Sequence, residues 1–80
     1  MDQSNDPADV EMTRKIRDAI TSSEGLSVNA RNVKVITQGG SVVLRGPVES
    51  EQEKQTIESI ARNAAGGGRV DNQLEVAPGT

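Results

Sequence analysis

Residues 32–54, which read NVKVITQGGSVVLRGPVESEQEK, decide the fold because they encode two strands, a tight turn and the start of a helix. Gly39 and Gly40 are typical of the two central positions of a hairpin turn, where glycine supplies the positive φ that such turns require. A turn centred there predicts one antiparallel register. Its pairs are Gln38 with Ser41, Thr37 with Val42, Ile36 with Val43, Val35 with Leu44, and Lys34 with Arg45.

Side chains alternate between the two faces of this hairpin, and the faces differ in polarity. The face predicted to be buried consists of Val33, Val35, Thr37, Val42 and Leu44. The face predicted to be open consists of Lys34, Ile36, Gln38, Ser41, Val43 and Arg45. A shift of one residue would bury Lys34 and Arg45, so the pattern favours this register.

A helix is predicted before the hairpin. Asp6 and Pro7 are typical of an N-cap and a first helical position, and a stripe at helical spacing follows them. The stripe consists of Met12, Thr13, Ile16, Ala19, Ile20 and Ser23. Gly25 indicates the end of this helix, and residues 26–31 are predicted to be a connecting segment.

A second helix and a third strand are predicted after the hairpin. Ser50 and Glu53 have the spacing of a capping box at the start of a helix over residues 51–65. The glycines at 66–68 end that helix, and residues 69–76 alternate between apolar and polar as a strand does.

The predicted fold class is α+β with the element order αββαβ, in which two helices pack on one face of a three-stranded mixed sheet. Strand 2, helix 2 and strand 3 form a crossover unit, so strands 2 and 3 are expected to be parallel. Strand order 1-2-3 is favoured, and order 2-1-3 remains open. The domain is expected over residues 7–76, with flexible ends at residues 1–6 and 77–80.

The composition narrows the classes of function. The chain has 80 residues and a net charge of −3, without Cys, His or any aromatic residue. Disulfides, thiolate metal sites and aromatic stacking platforms are therefore excluded, and the charge argues against nucleic acid as a partner. The longest aliphatic run is three residues, far from the roughly 20 that a spanning helix needs, so the chain is not expected to be transmembrane.

The sequence predicts no catalytic residue, no metal and no cofactor. An enzyme without His or Cys would depend on carboxylates and hydroxyls alone. Glu49, Glu51 and Glu53 lie beside a helix N-terminus, where the helix dipole favours acids without any metal. The triple glycine follows a helix rather than opening one, so it does not predict a phosphate-binding loop.

The chain resembles the BON domain family. The resemblance rests on V-x-V-x-x-x-x-G-x-V-x-L-x-G-x-V at residues 33–48, then S-x-x-E-K, then V-x-N-x-L-x-V at residues 70–76. The resemblance covers about residues 10–76. Within the family, the chain is similar to the single-domain, osmotically inducible periplasmic type. One departure is Gly66-Gly67, where the family commonly has Gly-Val, which predicts a looser segment after helix 2.

The resemblance implies a non-catalytic module of the bacterial cell envelope, with an anionic phospholipid membrane surface or an envelope protein as partner. Residues 1–6 lack the basic and apolar parts of an export signal. A periplasmic location therefore implies that a signal was removed, and a cytoplasmic location is the alternative. We expect a monomer.

The first candidate contact site lies on the open face of the sheet. Lys34 and Arg45 are expected opposite each other, an arrangement of like charges that is unfavourable unless an anion lies nearby. Ile36 and Val43 are expected to form an exposed apolar pair beside them. The alternative is that acids of the third strand, Asp71 and Glu75, neutralise the two cations.

The second candidate contact site lies on helix 1, where Arg14 and Arg17 point away from the buried stripe and are placed to contact lipid phosphates. The alternative is that acidic and basic side chains on the surface of helix 1 pair with each other. Glu11 with Lys15, and Arg14 with Asp18, have the i, i+4 spacing of ordinary surface pairs.

Overall fold

The computed structural model describes residues 4–66 and 68–77, which form three helices and a three-stranded mixed sheet. The elements are α1 Pro7–Ser22, α2 Val28–Arg31, β1 Lys34–Gln38, β2 Ser41–Val48, α3 Glu51–Ala65 and β3 Val70–Val76. The predicted α+β class is confirmed. The short helix α2 is an addition, because it occupies a segment predicted to be only a connection.

The sheet has the strand order β1-β2-β3, with β1 antiparallel to β2 and β2 parallel to β3. Its hairpin register pairs Lys34 with Arg45, as the glycine turn predicts. Gly39 and Gly40 have φ values of 57° and 82°, which lie in the left-handed region that the turn requires. Order 1-2-3 is therefore confirmed, and the alternative order 2-1-3 is excluded.

The helices cover the aliphatic face of the sheet, and every helix and strand supplies side chains to the core or packs against it. The core consists of Ile16, Ile20, Ala30, Val33, Val35, Val42, Leu44, Val48, Ile57, Ala61, Ala65 and Leu74. Full burial of an aliphatic side chain stabilises a fold by roughly 1.5–3 kcal/mol. Lys34 and Arg45 remain exposed on the opposite face, so the predicted division of polarity holds for them.

Proline cannot donate a hydrogen bond to a neighbouring strand, so the sequence predicts that the sheet stops growing at Gly46 and Pro47. Strand β2 instead continues through both residues to Val48. That prediction is wrong, since Gly46, Pro47 and Val48 all pair with β3. Because β1 begins at Lys34, opposite Arg45, Pro47 has no partner on β1. The missing N–H of Pro47 therefore removes no bond to β1. Gly46, with φ of 133°, brings its backbone close to Val33.

Hydrogen bonds are present one residue beyond each end of the predicted domain, residues 7–76. The N–H of Ala77 donates to the carbonyl of Val48 at 2.7 Å, so this residue still extends the sheet contacts of β3. At the other end, Asp6 accepts the N–H of Ala8 at 2.9 Å and caps α1. The predictions of flexibility for residues 1–3 and 78–80, and the departure at Gly67, lie outside the described residues.

The open face of the sheet is better shielded than the sequence pattern predicts. Ile36 and Val43 are only 2% and 8% exposed, although they lie outside the core cluster beneath the helices. Alternation along the strands places Lys34, Gln38 and Arg45 beside them on this face. Long polar side chains shield aliphatic neighbours with their methylene groups while their polar ends stay in water. The prediction that Ile36 and Val43 form an exposed docking pair is therefore wrong.

Candidate functional site

Four cationic side chains lie around the start of β1, at one corner of the molecule. Arg17 of α1 and Arg31 of α2 line a common cleft, and the valines on either side of Lys34 belong to the same cleft. Lys34 itself points to the open face, where Arg45 is its cross-strand partner. All four residues are exposed. We call Arg17, Arg31, Lys34 and Arg45 the cationic corner.

Local structure explains why the two arginines meet. Arg17 follows the fully buried Ile16, and one residue turns a helix by about 100°, so its side chain lies at the rim of the buried stripe. Arg31 is the last residue of α2. The N-cap of this helix is Ser27, and the hydroxyl of Ser27 accepts the N–H of Ala30 at 3.1 Å. Both arginines therefore lie beside the outer edge of β1. Charged side chains in this position also discourage another strand from pairing with the edge.

The cationic corner has no ion pair with any side chain in residues 4–66 and 68–77. By contrast, Arg14, which lies on α1 as Arg17 does, contacts Glu11 at 2.6 Å and Asp18 at 3.6 Å. The predicted Arg14–Asp18 pair is confirmed, whereas Glu11 pairs with Arg14 instead of Lys15. The structure thus separates the two arginines predicted on helix 1: Arg14 is paired, and Arg17 joins the corner.

Acids of β3 do not neutralise the cations of the open face. Asp71 accepts a hydrogen bond from the side-chain amide of Gln73 at 2.8 Å. Glu75 lines a shallow depression together with Arg45, but the described residues include no ion pair within 4.0 Å between either acid and Lys34 or Arg45. The two like charges therefore face each other across the strands without a bound acid between them.

A buried carboxylate joins α1 to the hairpin turn. Asp9 is 6% exposed, and its two oxygens accept the N–H groups of Gly39 at 2.9 Å and Gly40 at 3.0 Å. The hydrogen bond from Gly39, followed by that from Gly40, lowers the pKa of Asp9 below its usual range despite the opposing effect of burial. The sequence assigns Asp9 only to the first turn of a helix, because its targets lie 30 and 31 residues away.

We expect Asp9→Asn to destabilise the fold at pH 7 and to have a much smaller effect in acid. The folded pKa lies below the unfolded value of about 3.9, so the ionised carboxylate stabilises the fold above that value. This contribution is lost as the pH falls through the lower folded pKa. Urea unfolding at pH 7 and near pH 2 measures the change.

Asp6→Asn is the matched control for Asp9→Asn, because Asp6 is the N-cap of the same helix and its side chain accepts the N–H of Ala8, two residues away. We expect its effect at pH 7 to be the smaller of the two. An Asp9→Asn effect that is equal at both pH values would contradict the assigned role of the carboxylate.

A second carboxylate ties α2 to the start of α3. Glu53 accepts the N–H and the hydroxyl of Ser27 at 2.9 and 2.8 Å, and the N–H of Glu49 at 2.9 Å. Burial is the largest single influence on its pKa and raises it, but the hydrogen bonds from Glu49 and Ser27 together hold the pKa below its usual value. Glu53 thus fixes the N-cap of the helix that carries Arg31.

The predicted capping box at α3 is only half formed. The hydroxyl of Ser50 accepts the N–H of Glu53 at 3.1 Å, as predicted. The side chain of Glu53 bonds the N–H of Glu49 and the distant Ser27 rather than the N–H of Ser50. The local motif therefore locates the start of the helix correctly, while tertiary structure redirects its carboxylate.

The site offers exposed positive charge on a rigid scaffold. In the part of the chain that the structure describes, no group of three or more acids, His or Cys is placed to hold a metal ion. No helix within those same residues is long and apolar enough to cross a bilayer. Arg31 is the member of the cationic corner that sequence reasoning missed. The signal that points to it is Ser27, an N-cap residue shortly before it.

Comparisons with known proteins point in the same direction as the motifs. The family model described as the BON domain matches residues 8–78, which is nearly the whole chain. A search of curated proteins finds no match. The matched span includes all of the cationic corner and the two hydrogen-bonded carboxylates, Asp9 and Glu53.

Proposed function

The chain belongs to the BON domain family, and we propose that it is a non-catalytic binding module that associates with anionic phospholipid surfaces through the cationic corner. The supporting observation is that four exposed cations, two lining one cleft and two paired across the hairpin, have no ion pairs among the described residues, in a chain whose net charge is −3. Each Lys or Arg near an anionic membrane surface contributes about 1 kcal/mol to binding. Since no acid in the described part of the chain pairs with these cations, that contribution is available to a lipid.

The cross-strand pair of Lys34 and Arg45 supports the same proposal. Like charges directly opposite each other in a sheet cost a few tenths to about 1 kcal/mol. A lipid phosphate bound near both side chains relieves this repulsion, so part of the binding energy comes from removing an unfavourable interaction in the free protein. Several cations are needed, because one domain with a single charge binds only weakly.

The proposed setting is the periplasm of a bacterium, where the module supports the integrity of the cell envelope under osmotic stress. Similarity to the osmotically inducible periplasmic type supports this setting. A cytoplasmic location is the alternative. The proposed form is a monomer.

A protein-interaction module was the other candidate. It depended on an exposed sheet edge together with an exposed apolar pair at Ile36 and Val43, and the two residues of that pair are only 2% and 8% exposed. A cationic corner without that patch favours an anionic surface over an apolar one. We therefore propose the lipid partner alone.

We expect Lys34→Glu to weaken binding to anionic vesicles by about thirtyfold, because reversing one charge removes roughly 2 kcal/mol near the surface. The same change replaces a like-charge pair with an opposite-charge pair, so folding stability is expected to rise by up to about 1 kcal/mol. Co-sedimentation at low salt with phosphatidylglycerol vesicles measures binding, and urea unfolding measures stability. Because the two effects have opposite signs, unfolding cannot explain lost binding.

Arg69→Glu is the matched control for Lys34→Glu, since it makes the same charge change beside the hairpin turn, at the other end of the sheet. It should weaken binding only slightly. Equal losses for both variants would assign binding to net charge rather than to the corner. Equal sedimentation of the unmodified chain with phosphatidylglycerol and phosphatidylcholine vesicles would reject the proposed function.

A further inference from the structure

We propose that Val28, the first residue of α2, inserts into the interfacial layer of an anionic lipid bilayer while the cationic corner binds the headgroups around it. This inference rests on the proposed function and adds the depth and orientation of docking. Among the described residues, three large hydrophobic side chains are substantially exposed: Val28 at 75%, Val76 at 42% and Val10 at 47%. Val28 is therefore the aliphatic side chain whose burial in lipid would remove the most apolar surface from water.

The geometry of α2 places Val28 next to a cation and away from the core. Ala30 is fully buried, and two residues turn a helix by about 200°, so Val28 points almost directly away from the core. Arg31 follows Val28 by three residues, or about 300°, and lies on the neighbouring part of the helix surface. An exposed aliphatic group beside a cation combines the two contributions that bind a segment to an anionic membrane interface, namely burial of apolar area and electrostatic attraction.

Hydrogen bonds fix both ends of α2, the helix that carries Val28. At its start, Ser27 caps α2 and is itself bonded by Glu53 at 2.8 and 2.9 Å. At its end, the side-chain amide of Asn32 donates to the carbonyl of Val28 at 3.0 Å. Insertion therefore requires no refolding of α2, which reduces the entropy lost on binding.

The acids near α2 set the orientation of docking. Glu49 accepts a hydrogen bond from the side-chain amide of Asn29 at 3.2 Å, so the carboxylate of Glu49 lies on the Asn29 side of the helix. Asn29 and Arg31 lie on opposite sides of Val28 around the helix axis. Repulsion between Glu49 and anionic headgroups tilts the molecule toward Arg31, which brings the cationic corner down onto the surface.

A lipid surface fits this site better than a protein partner. Protein interfaces concentrate their binding energy in clusters of large side chains, often aromatic, that fill pockets. Here one exposed valine lies in a segment of polar and charged residues, and the valines of the cleft that Arg31 lines, Val33 and Val35, are only 2% and 5% exposed. Such a site suits a fluid interface that accepts a single aliphatic group and many charges.

The test uses tryptophan as a site-specific probe, because the chain contains no aromatic residue of its own. Val28→Trp, Val10→Trp and Val76→Trp each introduce a single fluorophore at one of the three exposed valines. Each variant is mixed with phosphatidylglycerol vesicles and, separately, with phosphatidylcholine vesicles, and co-sedimentation is measured alongside. We expect a blue shift and protection from acrylamide for Val28→Trp with phosphatidylglycerol only, and no change for the other two variants.

A second variant, Val28→Ser, guards against an effect of tryptophan itself. It should bind phosphatidylglycerol vesicles roughly threefold to tenfold more weakly, because the aliphatic contribution is lost, while its urea unfolding stays unchanged. Sedimentation without a spectral shift in Val28→Trp, or with a larger shift in either control variant, would overturn the insertion and leave the proposed function standing. Absence of sedimentation for the unmodified chain would overturn both.

Discussion

Leu44→Ala is expected to lower the free energy of unfolding by about 2–5 kcal/mol, the range for truncating a buried leucine. Leu44 is fully buried in the central strand of the sheet and belongs to the core cluster beneath the helices. Its loss leaves a cavity, because the neighbouring strands β1 and β3 are held in register on both sides. A core of this size typically supplies only about 3–5 kcal/mol, so much of the variant should be unfolded at 37 °C.

Urea unfolding followed by far-ultraviolet circular dichroism measures the effect of Leu44→Ala. Val28→Ala is the matched control, since it also truncates an aliphatic residue but at a site that is 75% exposed. Its effect should stay within about 0.5 kcal/mol. A loss below about 1 kcal/mol for Leu44→Ala would contradict the assignment of this face as the core.

Glu53→Ala is expected to lower the free energy of unfolding by about 2–3 kcal/mol, because hydrogen bonds to charged groups are the stronger ones and their partners are left unsatisfied. The carboxylate accepts three hydrogen bonds, two from Ser27 and one from Glu49. The pKa of Glu53 is lowered in the folded state. Its contribution is therefore present above the unfolded value of about 4.3 and is lost as the pH falls through the folded pKa.

Glu51→Ala removes an acid from the same first turn of α3 and is the matched control for Glu53→Ala. The helix dipole alone makes such an acid worth about 0.3–1 kcal/mol. If the two variants lose equal stability, Glu53 acts only through the dipole and does not tie α2 to α3. A larger loss for Glu53→Ala should be accompanied by weaker lipid binding, because α2 carries both Val28 and Arg31.

The hairpin and α3 show how far local patterns reach. Alternation of aliphatic residues and a pair of glycines predict the register that pairs Lys34 with Arg45. Helical spacing after Ser50 predicts a helix over residues 51–65, and α3 is Glu51–Ala65. These predictions hold because backbone geometry imposes the periods of strands and helices on residues that are close in the chain.

Exposure on the open face was harder to predict. Ile36 and Val43 lie on the face opposite the helices, as predicted, but their side chains are almost fully buried. Period-2 alternation tells which face a side chain joins, and it does not tell how much of that side chain its neighbours cover. The candidate site in the structure is therefore a corner made of cations, without the exposed apolar pair that the sequence predicts.

The sequence by itself determined five of the six elements, all but α2, together with the hairpin register, the α+β class and the aliphatic layer between helices and sheet, because all of these depend on short periodic patterns. Tertiary structure alone decided that Arg31 and Arg17 share one cleft. It also decided that Asp9 binds the turn at Gly39, 30 residues away. Contacts between distant segments depend on how whole elements pack, and no local pattern records that packing.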